Sequence, residues 1–197
     1  SAMRMLSVIL VIVTLAGIAG APWIVKLVAP GFGGDKFDLT VTLTRIMFPY
    51  IFCICLVALC MGILNTLGHF AAPALAPVFL NLAMIGSVLF IAPYLETPVA
   101  GLAVGVLIGG GLQLALQVPF LVQKGIKFWQ KAPLIHPGLI RIARLMGPAV
   151  FGAAVYQVNI LVGTLLASLL PEGSVSYLYY ADRVVQFPLG IFAISMS

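Results

Sequence analysis

The chain has 197 residues, of which 62% are hydrophobic and only 8% charged, with a mean hydropathy of +1.20. A water-soluble domain of this length carries about a quarter charged residues, so these numbers exclude one. The net charge of +5 does not mark a nucleic-acid partner, because the basic residues lie between apolar runs, where membrane lipids present anionic headgroups. Cys53, Cys55 and Cys60 share one apolar stretch without metal-ligand spacing and read as small buried hydrophobes.

The leading Ser1-Ala2-Met3 has the look of a cloning scar, and the chain stops at Ser197 inside an apolar run, which reads as a fragment of a longer protein. A helix must supply about 20 apolar residues to cross roughly 30 Å of hydrocarbon. Six segments qualify: Leu6–Val28, Ile46–Leu67, Ala74–Tyr94, Val99–Val122, Leu145–Leu170 and Val175–Ser197. None alternates with the period of two that a barrel strand requires. The predicted fold is therefore all-α, a polytopic transmembrane bundle of six spanning helices.

The connections differ in charge. The first, following Val28, runs through Pro30, Gly31, Gly33, Gly34, Asp35, Lys36 and Asp38; the second, 68–73, carries His69; the third and fifth carry Glu96 and Glu172. The fourth holds Lys124, Lys127, Lys131, Arg141 and Arg144 with no acid, which places it on the cytoplasmic side. The same basic stretch is the one internal boundary: residues 1–123 carry four helices, 124–144 form a cytoplasmic linker, and 145–197 carry two more helices. Phe128, Trp129, Pro133 and Pro137 suit either a segment lying in the headgroup layer or an ordinary anchored loop. His69 and His136 are expected to be solvated.

Inside the spans, Gly101, Gly105 and Gly109 form a small-residue stripe, continued on the same face by Gln113 and Gln117. Such stripes bring two backbones close together in lipid. Prolines at 22, 49, 77, 119, 148 and 188 interrupt helices and bend them. The amides of Asn65, Asn81, Gln157 and Asn159 either bond helices together or contact a substrate.

Arg183 is the most telling residue. In Ser176-Tyr177-Leu178-Tyr179-Tyr180-Ala181-Asp182-Arg183 it stands about 12 Å into the last segment. An arginine at mid-bilayer costs about 2.5–3.5 kcal/mol on insertion scales, so a wet cavity, a partner or a ligand must hold it, unless it snorkels outward. Asp182 is adjacent but turned about 100° away, Gln186 lies on the arginine's own face, and Tyr179 and Tyr180 flank it. Nothing resembles a catalytic triad, P-loop, zinc site or paired carboxylate; an enzyme, a cofactor and a bound metal are not expected.

Several stretches resemble the MurJ (MviN) lipid II flippases. They are Ala29-Pro30-Gly31-Phe32, Thr44-Arg45-Ile46-Met47-Phe48-Pro49-Tyr50, the run from Gly62 to Val78 that includes His69-Phe70-Ala71-Ala72-Pro73, and above all Tyr179-Tyr180-Ala181-Asp182-Arg183-Val184-Val185-Gln186-Phe187-Pro188-Leu189-Gly190. The resemblance implies helices three to eight of a fourteen-helix fold in the multidrug/oligosaccharidyl-lipid/polysaccharide exporter superfamily. It implies a bacterial inner-membrane protein that carries lipid II, a polyprenyl pyrophosphate glycopeptide, by alternating access. It makes residues 1–123 the rest of a first lobe and 145–197 the start of a second, and it assigns Arg183 to a cationic cavity, facing the pyrophosphate. Asp182, Gln186 and Asn159 are further substrate-binding candidates from their own placement in the sequence. Two positions depart from the family: Gln186 stands where many members have Glu, and Gly163 where some have a sodium-ligating Asp. A related exporter of other polyprenyl-linked oligosaccharides or drugs, and a non-transporting structural module, are the rival readings. Membrane lipids are expected partners, and the half-lobes left exposed are expected to permit self-association.

Overall fold

A computed structural model describes residues 2–126 and 137–188. Among the described residues the secondary structure is helical: α1 (Ala2–Val28), α2 (Gly34–Met47), α3 (Pro49–Thr66), α4 (Ala71–Phe90), a 3₁₀ turn at Ala92–Tyr94, α5 (Pro98–Gln123), α6 (Pro137–Ser168) and α7 (Ser174–Pro188). Five stretches are long and apolar enough to cross a membrane: Met3–Val28, Gly34–Thr66, Ala71–Tyr94, Pro98–Gln123 and Arg144–Ser168. The chain is a multi-pass membrane protein. The sixth expected span, Val175–Ser197, is described only as far as Pro188, where it forms α7; its remainder lies outside the described residues, as do His136 and residues 127–136 of the basic connection.

The first connection is shorter than its sequence suggests. Residues 34–45 were expected to be a loop, yet α2 begins at Gly34 and joins α3 in one candidate span of 33 residues. The charges of Asp35, Lys36 and Asp38 and the threonines at 40, 42 and 44 hide the helical period. Val41 nonetheless turns inward, and the Thr40 hydroxyl donates to the Lys36 carbonyl at 2.7 Å. Gly34, at φ +55°, supplies the left-handed backbone that starts the helix at no Cβ cost. Pro49 lacks an N–H and so interrupts the ladder, but Phe48 keeps helical angles (φ −56°, ψ −40°) and donates to Thr44 O at 2.9 Å, so the chain continues as a helix. At the other end, α6 starts at Pro137, which makes residues 137–144 of the basic stretch helical.

Contacts divide the chain into two units, 1–21 with 41–142 and 22–40 with 143–197. In the first unit, α4 and α5 pack antiparallel on the glycine stripe. A Cβ on Gly101 would lie 2.6 Å from Ala92 Cβ, one on Gly105 2.8 Å from Ser87 Cβ, and one on Gly109 2.6 Å from Leu80 Cδ1. Gly110, one residue round, faces Tyr50 and Cys53 of α3 at 2.9 Å. The stripe thus packs α5 against α4, while its neighbour packs α5 against α3. Below it, Cys60, Leu64, Ala72 and Leu121 form the buried core.

The polar residues here bond helix to helix. The Ser87 hydroxyl donates to the Gly101 carbonyl, and Gln113 Nε2 donates to Ala76 O at 2.9 Å. Gln117, one turn further, is fully buried (0% exposed), and neither its amide nitrogen nor its oxygen has a partner among the described residues. His69 is not solvated as its loop position suggested. It is half-buried, stacked on Phe120 with ring centroids 4.5 Å apart, and its Nε2 is enclosed without a partner. The return of the chain at Gly68 (φ +71°) folds the imidazole back onto α5.

Two outcomes follow. Gly105→Ala is expected to destabilise the protein by about 1–3 kcal/mol through overpacking, whereas Gly86→Ala, whose Cβ meets nothing within 4 Å, should leave stability unchanged or raise it slightly; thermal melting of both in detergent checks this. Gln117→Leu removes two unpaired polar atoms and should raise Tm, while Gln113→Leu removes a buried hydrogen bond and should cost about 1 kcal/mol.

Candidate functional site

The second unit contains the four residues singled out as candidate substrate contacts. α6 and α7 are joined by a tight turn at 169–173, where Gly173 takes φ +94° and the Ser174 hydroxyl donates to Pro171 O at 2.7 Å. This turn sets the register of the pair. Gly163 faces Leu178, a Cβ at 163 lying 3.7 Å from Leu178 Cδ2. One helical turn further from the connection, Asn159 of α6 and Asp182 of α7 line the same cavity of about 560 Å³, together with Tyr156, Gly163, Leu178 and Tyr179.

Arg183 is absent from that lining, as the 100° step from Asp182 requires. It stands nine residues into α7, about 13 Å along the axis. Its Nη1 donates to Gln186 Oε1 over a long 3.5 Å, and its guanidinium carbon lies 4.9 Å from the Tyr179 ring centroid. Tyr179 packs edge-to-face on Tyr180, centroids 6.0 Å apart and planes at 72°. Among the described residues the guanidinium's partners are thus a neutral amide and an aromatic face, not a carboxylate. Both leave its charge uncompensated: the amide oxygen accepts one N–H, and the ring attracts the cation through its quadrupole. Most of the arginine's five donors remain available.

The structure therefore brings Asn159 and Asp182 together on one cavity and Arg183 and Gln186 together on the neighbouring face, with Tyr179 touching both. Tyr156 was not anticipated. Its signal was available in the spacing, because Tyr156, Asn159 and Gly163 recur at three and four residues and so share one face of α6. Among the described residues no group of three or more His, Cys, Asp or Glu side chains could hold a metal.

The family profile described as "Lipid II flippase MurJ" matches residues 1–197. The chain belongs to the MurJ lipid II flippase family. It is similar to the "Probable lipid II flippase MurJ" of Vibrio cholerae, 43% identical over 201 residues that cover 98% of this chain and 38% of the relative. The "Lipid II flippase MurJ" of Burkholderia cenocepacia is 42% identical over 199 residues, 95% of this chain and 38% of the relative. The "Probable lipid II flippase MurJ" of Haemophilus influenzae is 40% identical over 195 residues, 94% and 38%. The chain thus spans somewhat over a third of the length of these MurJ proteins.

Gly163 keeps the cavity open beside Asn159. Because its Cβ would make only ordinary contact, Gly163→Ala should fold normally and gain up to about 1 kcal/mol from helix propensity. Gly163→Leu would place a branched side chain toward Leu178 and the cavity, and should lower Tm relative to Gly163→Ala while expression stays normal. Thermal melting of both variants in detergent, with expression as the control, checks this.

Proposed function

We propose that this chain is the part of a lipid II flippase that joins its two lobes, and that Arg183 contacts the pyrophosphate of the lipid-linked peptidoglycan precursor. The observation that carries this reading is the state of the guanidinium: nine residues into α7, it meets Gln186 and Tyr179, without a carboxylate among its described partners. In hydrocarbon such a group is tolerated when water or an anionic ligand reaches it. A guanidinium grips phosphate oxygens through two parallel N–H bonds, which a pyrophosphate offers at either phosphorus.

Gln186 fixes the rotamer of the arginine. Asn159 and Asp182, on the adjoining cavity, offer an amide and a carboxylate to hydroxyl and amide groups of the glycopeptide. Residues 1–123 belong to the first lobe and residues from 145 onward to the second, with the basic stretch between them on the cytoplasmic face of the bacterial inner membrane. Transport by alternating access presents the same site to either side in turn. No bond of the cargo need be made or broken, so the reading is of a transporter and not an enzyme.

The test is complementation of flippase-depleted cells by the parent protein. Arg183→Ala should abolish growth support at normal membrane levels. Arg183→Lys, which keeps a point charge but loses the fork, should retain a partial fraction. Full support by Arg183→Ala would refute the assignment.

A further inference from the structure

The Ala29-Pro30-Gly31-Phe32 segment, which the flippase reading leaves without a role, is clamped onto the turn between α6 and α7. Gly31 N–H donates to the Ser168 hydroxyl at 3.4 Å, and Ser168 Oγ in turn donates to Leu165 O at 2.7 Å. Any side chain at 31 would run into the Ser168 carbonyl, so glycine alone permits this approach. Ser168 is buried, at 6% exposure. The clamp closes one side of a cavity of about 250 Å³, equal to the liquid volume of about eight waters.

The cavity's chemistry is of two signs. Lys36 lines one part, its ammonium 4.4 Å above the Phe32 ring centroid. Glu172 is in the same lining, and both charged side chains are exposed. Ser174 and Ser176 also line it. The Ser174 hydroxyl hydrogen is committed to Pro171 O, which leaves its oxygen free to accept. A simple anion in this cavity would meet Glu172, and a simple cation would meet Lys36. A ligand that satisfies both carries an ammonium and an anionic oxygen on one short linker.

The cavity's level in the fold identifies the source. It lies immediately beyond the last residues of two apolar spans, Val28 of α1 and Ser168 of α6, which is where headgroups of the surrounding bilayer sit. We infer that this cavity is a docking site for the zwitterionic headgroup of a phosphoethanolamine-type membrane lipid, phosphate on Lys36 and ammonium on Glu172, separate from the Arg183 site. Leu170 and Val175 at its margin meet the start of the acyl chains.

The experiment reconstitutes the full chain in phosphatidylcholine nanodiscs doped with phosphatidylethanolamine or with phosphatidylglycerol, and reads the lipid retained after extraction by native mass spectrometry. Phosphatidylethanolamine should be retained over phosphatidylglycerol. Lys36→Gln and Glu172→Gln should each cut that retention about tenfold, the loss of one charge-assisted hydrogen bond. Both side chains are exposed, so Tm should not change. The exchange Lys36→Glu with Glu172→Lys should restore retention, since the headgroup can reverse. Displacement of the lipid by free phosphoethanolamine would assign recognition to the headgroup alone; its failure to displace would show that the acyl margin contributes, and either result sustains a headgroup site. Equal retention of phosphatidylethanolamine by the wild type and both single variants would overturn the inference.

Discussion

Hydrocarbon offers no hydrogen bonds, and every polar atom of this chain that lies within a span is placed under that condition. In the α4–α5 pair it is met only in part by direct bonding: Ser87 donates to the Gly101 carbonyl and Gln113 Nε2 to the Ala76 carbonyl, while Gln113 Oε1 has no partner among the described residues. The glycines at 101, 105 and 109 make those bonds possible, because only backbones in near contact bring a serine or glutamine within reach of a neighbour's carbonyl. Packing and polarity are therefore one design here. Gln117, one turn beyond Gln113 on the same face, is fully buried and its amide finds no partner among the described residues. An unpaired amide there costs free energy that a leucine would not.

The α6–α7 pair meets the same condition differently. Asn159 and Asp182 face a cavity of about 560 Å³ instead of a close helix contact, and Arg183 meets Gln186 and the Tyr179 ring, contacts that do not neutralise it. Glycine acts in the opposite sense as well. Gly105 removes a side chain so that backbones touch, whereas Gly163 removes one so that space persists beside Asn159.

Much of this was legible in the sequence, for reasons specific to each element. The spans were visible because lipid crossing demands about 20 apolar residues, and the glycine stripe because its period of four matches the helix. Arg183 and Gln186 were legible as a pair because they are three residues apart on one helix. α2 was missed because a helix that surfaces at the membrane edge carries Asp35, Lys36 and Asp38, and these swamp the apolar signal of Phe37 and Val41. The joint placement of Asn159 and Asp182 depends on where the intervening turn closes. Once Gly163 is set opposite Leu178, four residues on either side bring 159 opposite 182, but that register is fixed by the turn at 169–173 and not by periodicity. The clamp of Gly31 on Ser168 spans 137 residues and has no local trace at all.

Adjacency explains why Asp182 and Arg183 serve different faces of α7. The two residues point about 100° apart, so Asp182 lines the cavity between α6 and α7 while the guanidinium turns toward Gln186 and Tyr179. The guanidinium still presents most of its donors, because Gln186 takes one and the Tyr179 face takes none. A salt bridge to Asp182 would have occupied those donors. In the proposed role, an incoming pyrophosphate meets a guanidinium with no carboxylate among its described partners to displace before it can bind.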